Sequence, residues 1–259
     1  MINWEKTFAA LWRARSATLK SVLEIDPISL KSLVGIELQK SQIVENTQAF
    51  LDGRACNNVL LWGARGTGKS SLIKAVFNHF KSDGLRLIEF SRDDLSNLPE
   101  VIDSIRESPY KFIIFCDDLS FEEGDNSYKG LKPILEGSIE LPPKNTLIYA
   151  SSNRRHLVTE YHKDNEATQV TSTEIHYSDS VEEKISLSDR FGVWISFYQG
   201  SFAEYLVIVD SYFASVSCDR DELHKQAKIF ATYRASRSGR TAKQFFNYYS
   251  QLLSKGLCE

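Results

Sequence analysis

Hydrophobic and polar positions follow two different periods along this chain. Five short apolar runs, each four to six residues long, are bounded by glycine or polar residues, as buried strands are. Between and after these runs, apolar residues recur every three or four positions, which is typical of helices with one buried face. The pattern predicts an α/β fold with a five-stranded parallel sheet. The predicted strands are Val59–Trp62, Leu85–Phe90, Lys111–Cys116, Thr146–Ala150 and Val193–Phe197.

The two ends of the chain differ from this middle part. From Ser201 the pattern is helical throughout, with Asp219 and Ser238 placed to open a second and a third helix. We therefore expect an α/β domain over 29–200, followed by a small all-helical lid domain over 201–259. Residues 1–28 carry large apolar side chains at an approximately helical spacing, which predicts an N-terminal amphipathic helical segment. Packing on the main domain is favoured for it over docking to a partner or a membrane surface.

The first predicted strand leads into the clearest chemical motif. Residues 63–70 read Gly-Ala-Arg-Gly-Thr-Gly-Lys-Ser and fit the P-loop pattern G-x-x-x-x-G-K-[ST]. The backbone N–H groups of such a loop and the start of the following helix bind polyphosphate. Lys69 would reach the β- and γ-phosphates, and the Ser70 hydroxyl would ligate Mg²⁺. The expected ATP-binding residues of the loop are Gly63, Ala64, Arg65, Gly66, Thr67, Gly68, Lys69, Ser70 and Ser71.

Two adjacent acids end the third predicted strand. An apolar run that leads into Asp117 is the Walker B pattern, in which the first carboxylate helps to hold Mg²⁺. Asp118 stands where many such ATPases have a glutamate that orients the attacking water, and aspartate is shorter by one methylene. Normal turnover, slow turnover and a nucleotide switch all stay open. The acidic turn 121–125 lacks the ligand spacing of a calcium loop, and we interpret its acids as solvated.

Composition narrows the partners and the location. The net charge is −3, with 42% hydrophobic and 25% charged residues, so there is no overall attraction to nucleic acid or to anionic membrane. No apolar run approaches the roughly 18 residues of a membrane span, and the N-terminus lacks a clean apolar signal core. The four cysteines form no C-x-x-C pair. We expect a cytoplasmic protein with no membrane association, no zinc site and no disulfide framework.

Basic residues outnumber acidic ones near the C-terminus. This excess fits either nucleic acid or a triphosphate that faces the lid, and the second interpretation is favoured at this stage. The chain shows no helix-turn-helix or other module that reads DNA. The residues concerned are Lys225, Lys228, Arg234, Arg237, Arg240 and Lys243.

Several longer strings carry a family resemblance. With the predicted strands and terminal helices, they resemble the AAA+ ATPase superfamily over nearly the whole chain. More narrowly, they are similar to a family of small stand-alone bacterial AAA+ proteins of unassigned function. The strings are Asn57–Gly63, Phe115–Glu122, Ser152–Leu157, Leu187–Gly192 and Ser238–Arg240.

The resemblance implies roles for residues outside the P-loop. Asn153 is the expected sensor 1 residue, and Arg240 is the expected sensor 2 residue on the lid. Arg190 is the expected arginine finger, which would act in trans within a homo-oligomer. The Gly35 region would contribute to the adenine pocket. Together with Lys69 and Asp118, the two sensors and the finger make up the predicted catalytic set.

These observations predict an ATPase that uses ATP and Mg²⁺ and couples nucleotide state to remodelling of a macromolecular partner, most simply an unknown protein. A DNA-linked ATPase of the helicase-loader or initiator type is an alternative, as is a non-hydrolysing module gated by nucleotide. A small-molecule kinase shares the P-loop mechanics and stays open. No N-K-x-D string follows Asp117, which disfavours a GTPase.

Overall fold

A single β-sheet organises the fold, seen here in a computed structural model that describes residues 2–121, 127–137, 139–155, 157 and 186–254. The sheet has seven strands in the order β2-β1-β4-β5-β6-β3-β7, and every neighbouring pair except β1 with β2 is parallel. The strands are β1 (Ala9–Arg13), β2 (Thr18–Ser21), β3 (Val59–Gly63), β4 (Leu85–Phe90), β5 (Lys111–Cys116), β6 (Thr146–Ser152) and β7 (Val193–Phe197).

Helices cover both faces of the sheet and then form a separate group near the C-terminus. Alternate strand residues point to opposite faces, so the sheet feeds two hydrophobic clusters. One cluster lies with α3, and the other lies with α1 and α2. The helices are α1 (Glu37–Leu51), α2 (Lys69–Phe80), α3 (Leu98–Ile105), α4 (Lys132–Glu136), α5 (Phe202–Tyr212), α6 (Arg220–Tyr233) and α7 (Gly239–Ser254).

All five predicted strands are present, but the predicted strand count is wrong because the N-terminal segment adds two more. The predicted amphipathic helical segment over 1–28 is likewise wrong, since β1 and β2 form a hairpin there. β1 lies parallel to β4, with Ala10 opposite Ile88. Ala10 is only 1% exposed, and Trp12 stacks on Phe90 at a centroid distance of 5.7 Å. The N-terminal residues therefore belong to the main sheet.

A buried arginine fastens this N-terminal segment to β4. Arg86 donates from Nε to the carbonyl oxygen of Trp4 at 2.7 Å and from Nη1 to the carbonyl of Leu85 at 2.9 Å. Its guanidinium lies over the ring of Phe8 at 4.7 Å and over that of Tyr110 at 3.9 Å. Burial lowers the pKa of the Arg86 guanidinium. The contacts of Arg86 with Trp4 and Phe8 join residues that are about 80 positions apart in the chain.

The three terminal helices α5, α6 and α7 pack around an aromatic cluster of their own. Phe213 contacts the rings of Phe245 and Tyr249 within this cluster. A capping box opens α5, because Ser201 Oγ accepts from Glu204 N while Glu204 accepts from Ser201 N. The division of the chain into an α/β domain and a lid stays a prediction.

The sequence also predicts a long polar loop or a loosely helical insertion over 157–185. This insertion from residue 158 onward and the acids of the turn at 122–125 lie outside the described residues. Within the ranges that are described, no helix combines the length and the apolar character that a membrane span needs.

Candidate nucleotide-binding site

The P-loop connects the end of β3 to the start of α2, and its backbone requires glycine at two crowded positions. Gly63 has φ of 128°, and a Cβ there would lie 2.0 Å from the carbonyl oxygen of Phe197 on β7. Gly66 has φ of 77°, and a Cβ there would lie 2.8 Å from Ser238 Oγ. No larger residue fits either place without moving backbone or a buried hydroxyl. The loop is therefore packed between β7 and the start of α7.

Lys69 is the first residue of α2 and lies across this loop. It is 6% exposed, and its Nζ donates to the carbonyl oxygens of Gly63 and Ala64 at 2.8 Å each. It also donates to Asn153 Oδ1 at 3.1 Å. Burial lowers the pKa of the Lys69 ammonium to about 8, and the nearby carboxylates of Asp118 and Asp117 oppose that shift. The cation is held at the place where a phosphate would enter.

This lowered pKa predicts how ATP binding depends on pH. The Lys69 ammonium is fully present below about pH 8 and is lost as the pH rises through that value. A bound triphosphate favours the charged form, so binding at about pH 9 should take up about one proton and be weaker than at about pH 6.5. Calorimetric titration with ATP in two buffers of different ionisation enthalpy measures this uptake. Lys69→Arg keeps its charge at both pH values; an unchanged proton uptake in that variant would assign the uptake to another group.

Two hydroxyl groups hold the first Walker B acid. Ser70 Oγ of the P-loop helix and Ser151 Oγ of β6 both donate to Asp117 Oδ1, at 2.5 Å each. This brings the predicted Mg²⁺ ligands Ser70 and Asp117 into contact, although they lie on different elements. The contact between Ser151 and Asp117 could not be predicted from the local sequence, because it depends on how β5 and β6 pair.

The second acid is held in an uncommon backbone conformation. Asp118 has φ of 52°, in the left-handed region that aspartate tolerates better than most residues do. Its backbone N–H donates to Ser151 Oγ at 3.1 Å, and Asn153 Nδ2 donates to its Oδ1 at 2.5 Å. Asn153 therefore touches both Lys69 and Asp118, and it links the phosphate-facing cation to the carboxylate predicted to orient water.

The donor set fits magnesium. A serine hydroxyl and a carboxylate are hard oxygen ligands, and Mg²⁺ in nucleotide sites uses one or two carboxylates together with water and phosphate oxygens. In the part of the chain that the structure covers, no group of three or more His, Cys, Asp or Glu side chains could hold a metal ion without further ligands.

Glu89 of β4 is half-buried near Asp117. Burial raises the pKa of the Glu89 carboxyl, and Asp117 adds to that effect while Lys74 opposes it. Sequence analysis gave no indication of Glu89.

The remaining predicted residues fall into two groups. Arg240 lies beside the loop, since its backbone N–H donates to the Gly66 carbonyl at 3.3 Å and its charge acts on Lys69. The Gly35 region is also adjacent, because Ile36 Cδ1 lies 3.9 Å from the place of a Cβ on Gly68. Arg190 is exposed just before β7 and is absent from the charges that shift the pKa of Lys69.

Comparisons with known proteins give the following matches. Among solved structures, the chain is similar to the Thermotoga maritima RuvB Holliday junction branch migration motor, with a TM-score of 0.47 and 13% identity over 86% of this chain and 72% of that chain. A lysine-to-arginine mutant of the same RuvB gives a TM-score of 0.49, also at 13% identity and with the same coverage. No curated protein matches the chain. A family model described as "Protein of unknown function (DUF815)" matches residues 5–252.

Proposed function

The chain belongs to the DUF815 family of proteins of unknown function, and the predicted resemblance to a family of unassigned function is thereby confirmed. From the geometry of the site, we propose that it is an AAA+ protein that binds ATP and hydrolyses it to ADP and phosphate. One observation carries the proposal. At the carboxyl edge of the sheet, Lys69 donates a hydrogen bond to Asn153 and Ser70 donates one to Asp117. Asn153 in turn donates to Asp118, so the P-loop helix and both acids belong to one site.

The proposed mechanism depends mainly on charge placement. The triphosphate would lie on the loop N–H groups, where Lys69 and Arg240 neutralise its charge. Ser70 and Asp117 would hold Mg²⁺, which supplies further charge neutralisation when bound. Asp118 would accept a hydrogen bond from the attacking water, and Asn153 would fix the direction of that carboxylate. Little covalent chemistry is left for the protein, so positioning provides most of the rate.

We further propose that the site is completed by a second copy of the chain. Arg190 lies on the exposed segment that leads into β7. β7 begins beside the start of β3, whereas the P-loop follows the end of β3. In a homo-oligomer this arginine would reach the γ-phosphate bound by the neighbouring subunit, as an arginine finger does. Such an assembly would act in the cytoplasm, and it would couple nucleotide state to remodelling of a macromolecular partner.

A non-hydrolysing nucleotide-gated module is the second candidate, and Asp118 is the observation that favours it. Its carboxylate is short, and Asn153 already occupies one of its oxygens. If that carboxylate does not reach the water, ATP would bind and hold one conformation without turnover.

One combined measurement separates these functions. Phosphate release per subunit and particle mass are followed across a series of protein concentrations, with ATP binding measured in parallel. An oligomeric ATPase shows turnover that rises as the protein assembles. ATP binding without phosphate release at every concentration establishes the nucleotide-gated module. Failure to bind adenine nucleotide refutes both functions.

A further inference from the structure

The segment from Leu223 in α6 to the end of α7 carries a strongly one-sided charge, although the first turn of α6 contains Asp221 and Glu222. From Leu223 to Ser254 the sequence contains six lysine or arginine residues and no aspartate or glutamate, in a chain whose net charge is −3. A basic cluster alone is usually a solvated surface. Two further observations indicate a binding surface: most of these cations do not contact the nucleotide site, and exposed aromatic rings lie among them.

The nucleotide site accounts for only one of these six cations. Arg240 touches the P-loop and acts on the pKa of Lys69, whereas the other five do not contribute to that pKa. Lys225 pairs with Glu222 at 3.2 Å. Among described residues, the four that are left have no carboxylate within ion-pair distance. They are Lys228, Arg234, Arg237 and Lys243. The described contacts therefore join only Arg240 of these six residues to the P-loop.

Aromatic rings lie among these cations and face solvent. The Arg234 guanidinium lies 5.4 Å from the ring centroid of Phe230, and Phe230 stacks on Tyr248 at 5.9 Å with an interplanar angle of 25°. Tyr248 is 53% exposed, and Tyr233 at the end of α6 is 87% exposed. We call Phe230, Tyr233, Arg234 and Tyr248 the basic–aromatic face.

A second arginine–aromatic pair follows within the same turn between α6 and α7. Arg237 lies 5.1 Å from the ring centroid of Phe202, which is itself 37% exposed. Arginine stacked on an aromatic ring keeps its N–H donors free to point outward toward an anion. The two pairs place cationic donors and apolar ring surface next to each other over a short stretch of chain.

We propose that the basic–aromatic face binds single-stranded nucleic acid. Proteins that bind single-stranded nucleic acid without sequence preference use basic side chains along the phosphate backbone and aromatic side chains on which the bases stack. The carboxylates of an acidic polypeptide would pair with the arginines and lysines, but carboxylates do not stack on the two exposed tyrosines as nucleic-acid bases do. The inference concerns a surface apart from the P-loop and holds whether or not the protein hydrolyses ATP.

The test is fluorescence anisotropy with a labelled oligothymidine of about 20 nucleotides, titrated with the full chain in the absence of ATP. If about four cations contact phosphates, the affinity should fall about 50-fold between about 50 mM and 200 mM salt. Arg234→Gln should reduce the salt slope by about 0.7. Tyr233→Ala should weaken binding about fivefold or more, with little change in the salt slope, because the ring contributes stacking and no charge.

Tyr233 is almost fully exposed, so its truncation leaves the helix packing intact and the result does not depend on refolding. Arg15→Gln is the matched control, since Arg15 is an exposed arginine beside the N-terminal hairpin. Unchanged binding in Tyr233→Ala together with equal competition by polyglutamate would overturn the proposal in favour of an acidic polypeptide. No binding at about 50 mM salt, or equal losses in Arg15→Gln and Arg234→Gln, would also overturn it.

Discussion

Arg190→Ala should lower the ATPase rate of the assembled protein by about 10³- to 10⁵-fold and leave ATP affinity unchanged. The expectation follows from where the residue lies. Arg190 is exposed before β7, and we have proposed that it completes the site of a neighbouring subunit. An arginine finger stabilises charge that develops in the transition state, and therefore its loss affects turnover and not ground-state binding. Phosphate release and equilibrium ATP binding, measured on the same preparation, test both parts.

A mixing experiment separates action in trans from a local structural effect. Subunits with Arg190→Ala retain an intact P-loop, and subunits with Lys69→Ala retain an intact Arg190. Junctions that join one of each kind contain a complete site, so the mixture should recover part of the activity that neither variant has alone. Arg54→Ala serves as the control, because Arg54 is an exposed arginine that pairs with Asp52. Wild-type turnover in the Arg190 variant, or full activity of an isolated subunit, would remove the finger role.

Lys69→Ala should weaken ATP binding by about 10²- to 10³-fold and abolish measurable turnover. The estimate takes about 3 to 4 kcal/mol for the loss of a charge-assisted phosphate contact in a site that already holds two carboxylates. Alanine would leave Asp117 and Asp118 to repel the incoming phosphates without a compensating ammonium. Titration with a fluorescent ATP analogue measures the loss of affinity.

The matched control is Lys74→Ala on the same helix. The Lys74 side chain is 38% exposed and lies 3.7 Å from Asp26, so its removal tests for a general effect of lowering the charge of α2. We expect it to bind ATP like the wild type. Equal affinity in the Lys69 variant and the wild type would contradict the phosphate site, and with it the proposed function.

The five strands β3 to β7 could be predicted because each is a short, mainly apolar run bounded by glycine or polar residues. The N-terminal hairpin of β1 and β2 could not be predicted in this way. Phe8, Leu11 and Trp12 are spaced three and one residues apart, which fits a helix as well as a short strand. The strand is favoured over the helix by contacts with residues far away in the sequence. These are the pairing of β1 with β4 and the hydrogen bond from Arg86 to the carbonyl oxygen of Trp4. Such pairings leave no local periodicity that could reveal them.

The residues of the site likewise divide into those that could be predicted from the sequence and those that could not. The P-loop and Asp117 could be predicted because the phosphate-binding backbone and the strand end fix both the residue type and the spacing. The partner of Asp117 on β6, Ser151, depends on tertiary pairing, and so does the link that Asn153 makes between Lys69 and Asp118. The left-handed backbone of Asp118 also carries no signal in the sequence, because aspartate is common in ordinary turns.

The N-terminal hairpin also determines the shortest fragment of this chain that is suitable for measurements in solution. A fragment trimmed to the predicted boundary at residue 29 would lose β1 and β2 and would uncover the edge of β4 where Leu87, Ile88 and Glu89 pair with β1. The main-chain donors and acceptors of a bare outer strand readily recruit strands from other molecules. Such a fragment would retain every nucleotide motif and still be prone to self-association that resembles functional assembly, so particle size is informative only for proteins that keep the first 21 residues.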